Sequence, residues 1–303
     1  IDRMNRALDF EDSKSRVYFQ LSDLYYMKGD NQKSEEYARL SIMSDRTFFL
    51  PYNRIYSILI NRKQYSDASS ILEKYKEAVP DDSNALYMLG VHYFKYMNDV
   101  EKSMVEFEKI IEISKKKDVP AYYIENSYYN AGYIMYSRGE YRKAFLYFKK
   151  SYDLNEGNMN AVYMLALSSI GFYNVKDAEK YSLAYLKNNP GEPNMEYILG
   201  SIYYMNTDDK ALEHLSKIKN LKSFEGLVAS GLYYEITGDD EKAESILNSV
   251  VKYRNDLVCV YMAIAKIKAR TGNKEETYKA YITAGTTAFR NQVFNASEKM
   301  FYS

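Results

Sequence analysis

The sequence has no tryptophan, one cysteine, five prolines and thirteen glycines in 303 residues. A lone Cys259 excludes an intrachain disulfide and leaves the redox compartment open. Glycine and proline together reach about half their usual share, so turns are few and long regular elements many, which argues against a turn-rich sandwich or barrel. Neither sign of charge is in excess: Lys plus Arg and Asp plus Glu are 41 each. No net field therefore draws the chain to nucleic acid or to an anionic membrane. A long apolar run is missing too. The longest uncharged stretch, residues 157–175, is interrupted by Asn158, Asn160, Ser168, Ser169 and Asn174. It is too short and too polar to span a bilayer and reads as a buried helix. Ile1 already lies in helical pattern with no charged, apolar, small-residue leader before it, although a signal removed earlier is compatible with that start. The length is where a single core stops growing, so the chain is either two ordinary domains or a fold with no single core.

What is abundant is aromatic, with 34 Tyr and 13 Phe, and it recurs. Residues 128–140 align without a gap with residues 18–30. In the same phase, units begin near Ser15, Phe49, Ser83, Glu125, Met159, Pro193, Phe224 and Val258, at spacings of 34, 34, 42, 34, 34, 31 and 34. Each unit holds two apolar stripes of helical period separated by a polar break, the pattern of an antiparallel helix pair, A then B. Small residues stand where the pair must touch: Gly90, Gly132, Ala166, Gly200, Gly231 and Ala265 in A, and Ala68, Ser103, Ala144, Ala178, Ala211 and Ala243 in B. Glycine recurs at the A-to-B turn as Gly29, Gly139, Gly238 and Gly272, where a left-handed residue ends a helix at low steric cost. Pro80 and Pro190 follow B helices as stops, and Pro51, Pro120 and Pro193 lie near A starts.

This pattern resembles the tetratricopeptide repeat, a 34-residue helix-turn-helix unit. The fourth unit carries most of its hallmarks as Tyr128, Ala131-Gly132, Met135, Ala144, Phe148 and Ser151. Others match through Leu89-Gly90 with Tyr93, Leu199-Gly200 with Tyr203, and Ala178 with Pro190. The likeness covers nearly the whole chain; Trp is always replaced, the second and eighth units lack parts of the small-Gly signature, and the sixth is three residues short. It implies an all-α, right-handed solenoid of tandem antiparallel helix pairs, one array over residues 1–303. Residues 1–14 fit the second half of a truncated unit, with Met4, Ala7 and Phe10 in B phase, so the chain is expected to extend further toward its N-terminus. Residues 286–303 are expected to form a capping helix or the start of another unit. The eight extra residues between units three and four, around residues 115–120, are either a longer helix B with a restarted helix A capped by Asp118, or a hinge loop, the former being preferred.

Catalytic chemistry is not visible in the sequence. His92 and His214 stand in different units, with no second histidine or cysteine at metal-ligand spacing. No Ser-His-Asp or Cys-His set assembles from local motifs, and the dispersed glycines make no phosphate loop. Asp81-Asp82, Asp208-Asp209 and Asp239-Asp240 sit at helix starts, where they read as caps and dipole partners. Lys115, Lys116 and Lys117 read as a solvated face. No cofactor, metal or catalytic residue is expected.

In tetratricopeptide arrays the A helices line the concave surface, and contacts come from the second, fifth, ninth, twelfth and thirteenth places. Carried over, the second place is Asn84, Asn126, Asn160 and Asn194 in four consecutive units, and the fifth is Tyr87, Tyr129, Tyr163 and Tyr197. Ninth and twelfth places add Tyr133, Phe94, Tyr136 and Tyr204, with Phe19 and Tyr26 toward the N-terminus. An Asn amide both donates and accepts, so a row of them suits an extended backbone of any sequence, while Tyr adds area and a hydroxyl. A plainer alternative is that Tyr fills space between helices and Asn caps them. Basic residues at these places are sparse until Lys266 and Arg270, which does not support a clamp for a C-terminal carboxylate. The expected function is a non-catalytic scaffold holding an extended segment of a protein partner in the groove. A structural segment of a larger assembly, and the substrate-recruiting part of an enzyme, are the alternatives.

Overall fold

A computed structural model of the protein describes residues 14–301, with side chains as far as residue 288. Among the described residues every regular element is a helix, and the fold is an all-α solenoid of tandem helix pairs. The chain divides into two compact units, residues 1–134 and 135–303. The first holds α1 (Lys14–Met27), α2 (Asn31–Ser44), α3 (Phe49–Asn61), α4 (Tyr65–Ala78), α5 (Ser83–His92), α6 (Val100–Ile113) and most of α7 (Ala121–Ser137). The second continues with α8 (Tyr141–Leu154), α9 (Met159–Gly171), α10 (Val175–Leu186), α11 (Pro193–Met205), α12 (Lys210–Ile218), α13 (Phe224–Thr237), α14 (Asp240–Tyr253), α15 (Val258–Arg270) and α16 (Lys274–Phe301).

The small residues explain how the pairs close. A Cβ added at Gly90 would stand 2.7 Å from Phe107 Cε1, one at Gly200 2.6 Å from Leu215 Cδ2, and one at Gly231 2.5 Å from Leu247 Cδ2. Each glycine is thus a notch in helix A filled by a large apolar residue of helix B, and any side chain there would overpack it. Ser103 uses the same proximity to donate a hydrogen bond of 2.7 Å to the Gly90 carbonyl. Ala68, Ala144, Ala178 and Ala243 are fully buried in the matching B positions.

Every A-to-B turn in the described residues is built alike. Gly29, Gly139, Gly238 and Gly272 take φ near +80°, and Lys63, Asn98, Tyr173 and Thr207 occupy the same left-handed place in the other four turns. The next residue begins helix B, often as a cap: Asp30, Asp99, Asn174 and Asp239 each accept from the backbone amide three residues on. Directly after α5, Tyr93–Met97 forms a π-turn before Asn98.

The insertion between units three and four differs from the expected long helix B. Helix α6 ends at Ile113 after the usual fourteen residues, turns follow, and α7 starts at Ala121, so Asp118 lies three residues before the helix and not at its N-cap position. The extra length goes into a tight connection and a longer helix A because Val119 drops into the core beside Leu86, Ile110 and Ile113 and anchors the segment. Lys116 and Lys117 pair with Glu112 and Asp81. At the other end, α16 runs unbroken past residue 286, so residues 286–301 continue that helix instead of forming a separate cap; Gly285 lies inside it, and nothing there turns the backbone. The expected half unit at residues 1–14 lies, but for Lys14, outside the described residues.

In the second unit the missing three residues of the sixth repeat come from its helix B: α12 has nine residues where its counterparts have twelve or more. A short outer helix leaves less to hold the neighbouring pairs apart. Inner helices α11, α13 and α15 all touch one another, including the non-consecutive α11 and α15. Helix α11 is consequently buried on nearly every face, from Met195 to Tyr204.

Candidate binding cavity

The curl of the inner helices encloses a cavity of about 660 Å³ within the second unit. Its walls come from the end of α7, from α9, α11 and α13, and from the connection into α15. Most of the lining is aliphatic or aromatic, including Leu167, Ile170, Tyr197, Ile198, Met205 and Phe224. This is the size and character of a pocket that buries a ligand or several side chains.

Polar groups cluster on one side. Arg254, just after α14, makes a bidentate pair with Asp256, Nε to Oδ1 at 2.8 Å and Nη2 to Oδ2 at 3.2 Å. Its guanidinium also lies 5.8 Å from the Phe224 ring. Glu225 stands in the first turn of α13, and no lysine or arginine pairs with it among the described residues. Ser201 is 7% exposed, and its Oγ has no hydrogen-bond partner. It lies beside the Tyr197 hydroxyl and the Cys259 thiol, on both of which it acts as a polar neighbour that partly offsets the effect of burial. Burial pushes the Cys259 thiol up to about 11 and drives the Tyr197 hydroxyl well above the usual phenol range, so both stay protonated at neutral pH. Tyr173, in the left-handed turn after α9, joins the wall, and its hydroxyl is pushed up to about 12 by burial and by Asp256.

Of the residues expected from the sequence, the cavity gathers Tyr136, Asn194 and Tyr197. Asn194 Nδ2 donates to the Tyr163 hydroxyl at 2.7 Å and to Glu192 Oε1 at 3.2 Å, so Tyr163 stands behind it as an acceptor. Asn160, at the start of α9, is exposed and outside the cavity. Tyr204 is a correction: it is 2% exposed, and its hydroxyl donates to the buried Glu235 at 2.7 Å, so it belongs to the core. Arg270 holds the other side of Glu235 at 2.7 Å and Asp240 at 2.6 Å, while Lys266 lies 4.3 Å from the Tyr204 ring. The basic end expected of the groove is therefore internally paired.

In the first unit the expected residues stay apart from any comparable cavity. Asn126 Nδ2 turns back to the Tyr122 carbonyl at 2.8 Å. Tyr87 packs against Phe107, Tyr122 and Tyr123, and burial raises its hydroxyl. Tyr129 is half-buried, and its hydroxyl is likewise raised. Tyr133 is exposed and meets Phe94 edge to face at 5.8 Å. Asn84 sits two residues after the actual cap of α5, Asp82, as Asn160 and Asn194 follow the caps Asn158 and Glu192. Capping therefore does not account for these asparagines.

Sequence reasoning missed Ser201, Glu225 and Cys259, yet the signal was present. Ser201 is the ninth place of the sixth repeat, and Glu225 and Cys259 are the second places of the seventh and eighth. They break the Asn and Tyr rows and so escaped a search for sameness. Among the described residues no three His, Cys, Asp or Glu come together to hold a metal, and no helix is long and apolar enough to cross a membrane.

Residues 15–48 match the tetratricopeptide repeat. Over 125 residues, 41% of the chain, the sequence is 25% identical to mitochondrial import receptor subunit TOM70 of Rattus norvegicus, and equally to that of Mus musculus. That stretch is 19% of each relative's length, so the chain matches about a fifth of those receptors. Among solved structures it is similar in fold to Pseudomonas aeruginosa pilF, with a TM-score of 0.53 at 15% identity over 76% of this chain and 99% of that one.

Proposed function

We propose that this chain, an all-α solenoid whose residues 15–48 match the tetratricopeptide repeat, is a non-catalytic scaffold that holds an extended segment of a protein partner in the cavity of its second unit. The carrying observation is the 660 Å³ space lined by Tyr136, Asn194 and Tyr197. Rigid aromatic rings supply contact area at little entropic cost, and the Asn194 carbonyl oxygen is an acceptor for a backbone amide of the segment. Packed helices lie about 8–10 Å apart and an extended chain rises about 3.3 Å per residue, so one contact per repeat meets roughly every third residue of the segment. The relatives named as import receptors are consistent with recognition of other polypeptides, over the fifth of their length that matches.

A cross-linking pull-down from native extract identifies the partner. Tyr136→Ala with Tyr197→Ala should then reduce capture at least tenfold, about 1.4 kcal/mol or more. A triple variant of Lys143, Lys149 and Lys180 to Ala, at lysines outside the cavity lining, should leave capture unchanged. Equal capture by both variants, each folded by circular dichroism, would place the partner elsewhere.

A further inference from the structure

The polar side of the second-unit cavity carries information about what the bound segment contains. Three observations bear on it. Arg254 is neutralised by its bidentate partner Asp256 and offers no unpaired cation to an acidic ligand. Glu225, at the same cavity, lacks a cationic partner among the described residues. Ser201 is 7% exposed and lines the cavity, and its Oγ has no partner at normal hydrogen-bond distance, only the Tyr197 hydroxyl and the Cys259 thiol beside it. A buried hydroxyl without a full partner is destabilising, and an acceptor on a ligand relieves it.

We propose that this side of the cavity is a recognition pocket for a large apolar or aromatic side chain that stands next to a lysine or arginine in the bound segment. The apolar side chain fills the space between Ile170, Ile198, Met205 and Phe224. Ser201 donates to a backbone carbonyl of the same segment, and Glu225 pairs with the adjacent cation. With Arg254 and Asp256 cancelling, Glu225 leaves the cavity with an excess of one negative charge, which repels an acidic neighbour as well as attracting a basic one. The inference rests on the capture of a segment proposed above and adds its chemistry.

The test is a displayed library of random peptides, panned against the full chain as wild type, Glu225→Lys and Ser201→Ala. Wild type should enrich Phe, Leu, Ile or Met beside Lys or Arg. Glu225→Lys should keep the apolar preference and exchange the basic neighbour for Asp or Glu. The best wild-type peptide, measured by fluorescence anisotropy, should weaken about tenfold on Glu225→Lys and several-fold on Ser201→Ala. Both substitutions leave the packing of α11 and α13 intact, since Ser201→Ala only removes a hydroxyl and Glu225 is not in the core. Enriched peptides without a basic preference, or with affinity unchanged by Glu225→Lys, overturn the inference while segment capture stands. Failure to enrich any peptide on wild type overturns both.

Discussion

The two units use one repeat to different ends. In the first, the candidate residues are engaged with their own surroundings: Asn126 with its helix, Tyr87 with three neighbouring rings. In the second, the inner helices come close enough for α11 to touch α15, and the same repeat positions face a shared cavity. The local structure of a repeat, its notch, turn and cap, is therefore separable from its curvature. Notch and turn follow from a few residues per unit, whereas curvature follows from helix length, and here from the nine residues of α12.

The largest effect expected from breaking either unit lies in its notches. Phe107, 1% exposed against Gly90, should cost about 3–5 kcal/mol as Phe107→Ala, and Leu247 against Gly231 about 2–5 kcal/mol as Leu247→Ala. Because repeats couple mainly to neighbours, with α11 and α15 as an exception in the second unit, the loss should be local. Hydrogen exchange should quicken in α5 and α6 for the first variant and in α13 and α14 for the second, each leaving the other region protected. Uniform acceleration in either variant would show that the whole chain unfolds as one.

Next in size is binding, where the comparison becomes a contrast between asparagines. Asn194→Ala should weaken capture of the partner by about 1–3 kcal/mol, since it removes a group facing the cavity. Asn126→Ala and Asn160→Ala should change affinity by less than about 0.5 kcal/mol, because one is bonded to its own helix and the other is exposed outside the cavity. Titration of the three single variants checks it. Equal losses would restore a continuous asparagine ladder.

That contrast marks where the sequence stops being legible. Pair boundaries, small contact positions and turn glycines could be read because each is a local steric requirement repeated eight times. The left-handed places at Lys63, Asn98, Tyr173 and Thr207 were hidden because no glycine announces them. Tyr204 was misassigned because its repeat position faces inward, and only contact between α11 and α13 turns inward into buried. The cavity was illegible for the same reason: it arises from contacts between repeats, and periodicity within one repeat does not encode them.

Histidines offer a further test, one in each unit. His92 is buried, its Nε2 donating to the Tyr65 carbonyl at 3.0 Å and its Nδ1 accepting from the Tyr56 hydroxyl at 3.2 Å. Burial lowers its pKa below the ordinary 6.5, with the Tyr65 carbonyl opposing in part. A folded value below the unfolded one means that the neutral ring contributes stability above 6.5, lost as pH falls through the folded value. The first unit should therefore loosen as pH falls below 6.5, read as faster exchange in α3 to α5, and His92→Gln should flatten that dependence. An unchanged slope in the variant would show that another group carries the acid sensitivity of this range.

The smallest effects are expected at the turns, and they separate structure from binding. A side chain in the left-handed region costs roughly 1–2 kcal/mol, and glycine returns about 0.5–1 kcal/mol of that as lost chain entropy in the unfolded state. Lys63→Gly in the first unit and Thr207→Gly in the second should each stabilise by up to about 1 kcal/mol, Thr207 more because its side chain is β-branched. Tyr173→Gly should gain less, since it relieves the same backbone strain but removes a ring from the cavity wall. Its partner affinity should fall while its thermal stability changes little, whereas Lys63→Gly and Thr207→Gly should raise the melting temperature without touching affinity. If Tyr173→Gly behaves like the other two in both measurements, Tyr173 is only a turn residue. If it loses affinity alone, a non-glycine in that turn is kept for the cavity at the expense of local backbone strain.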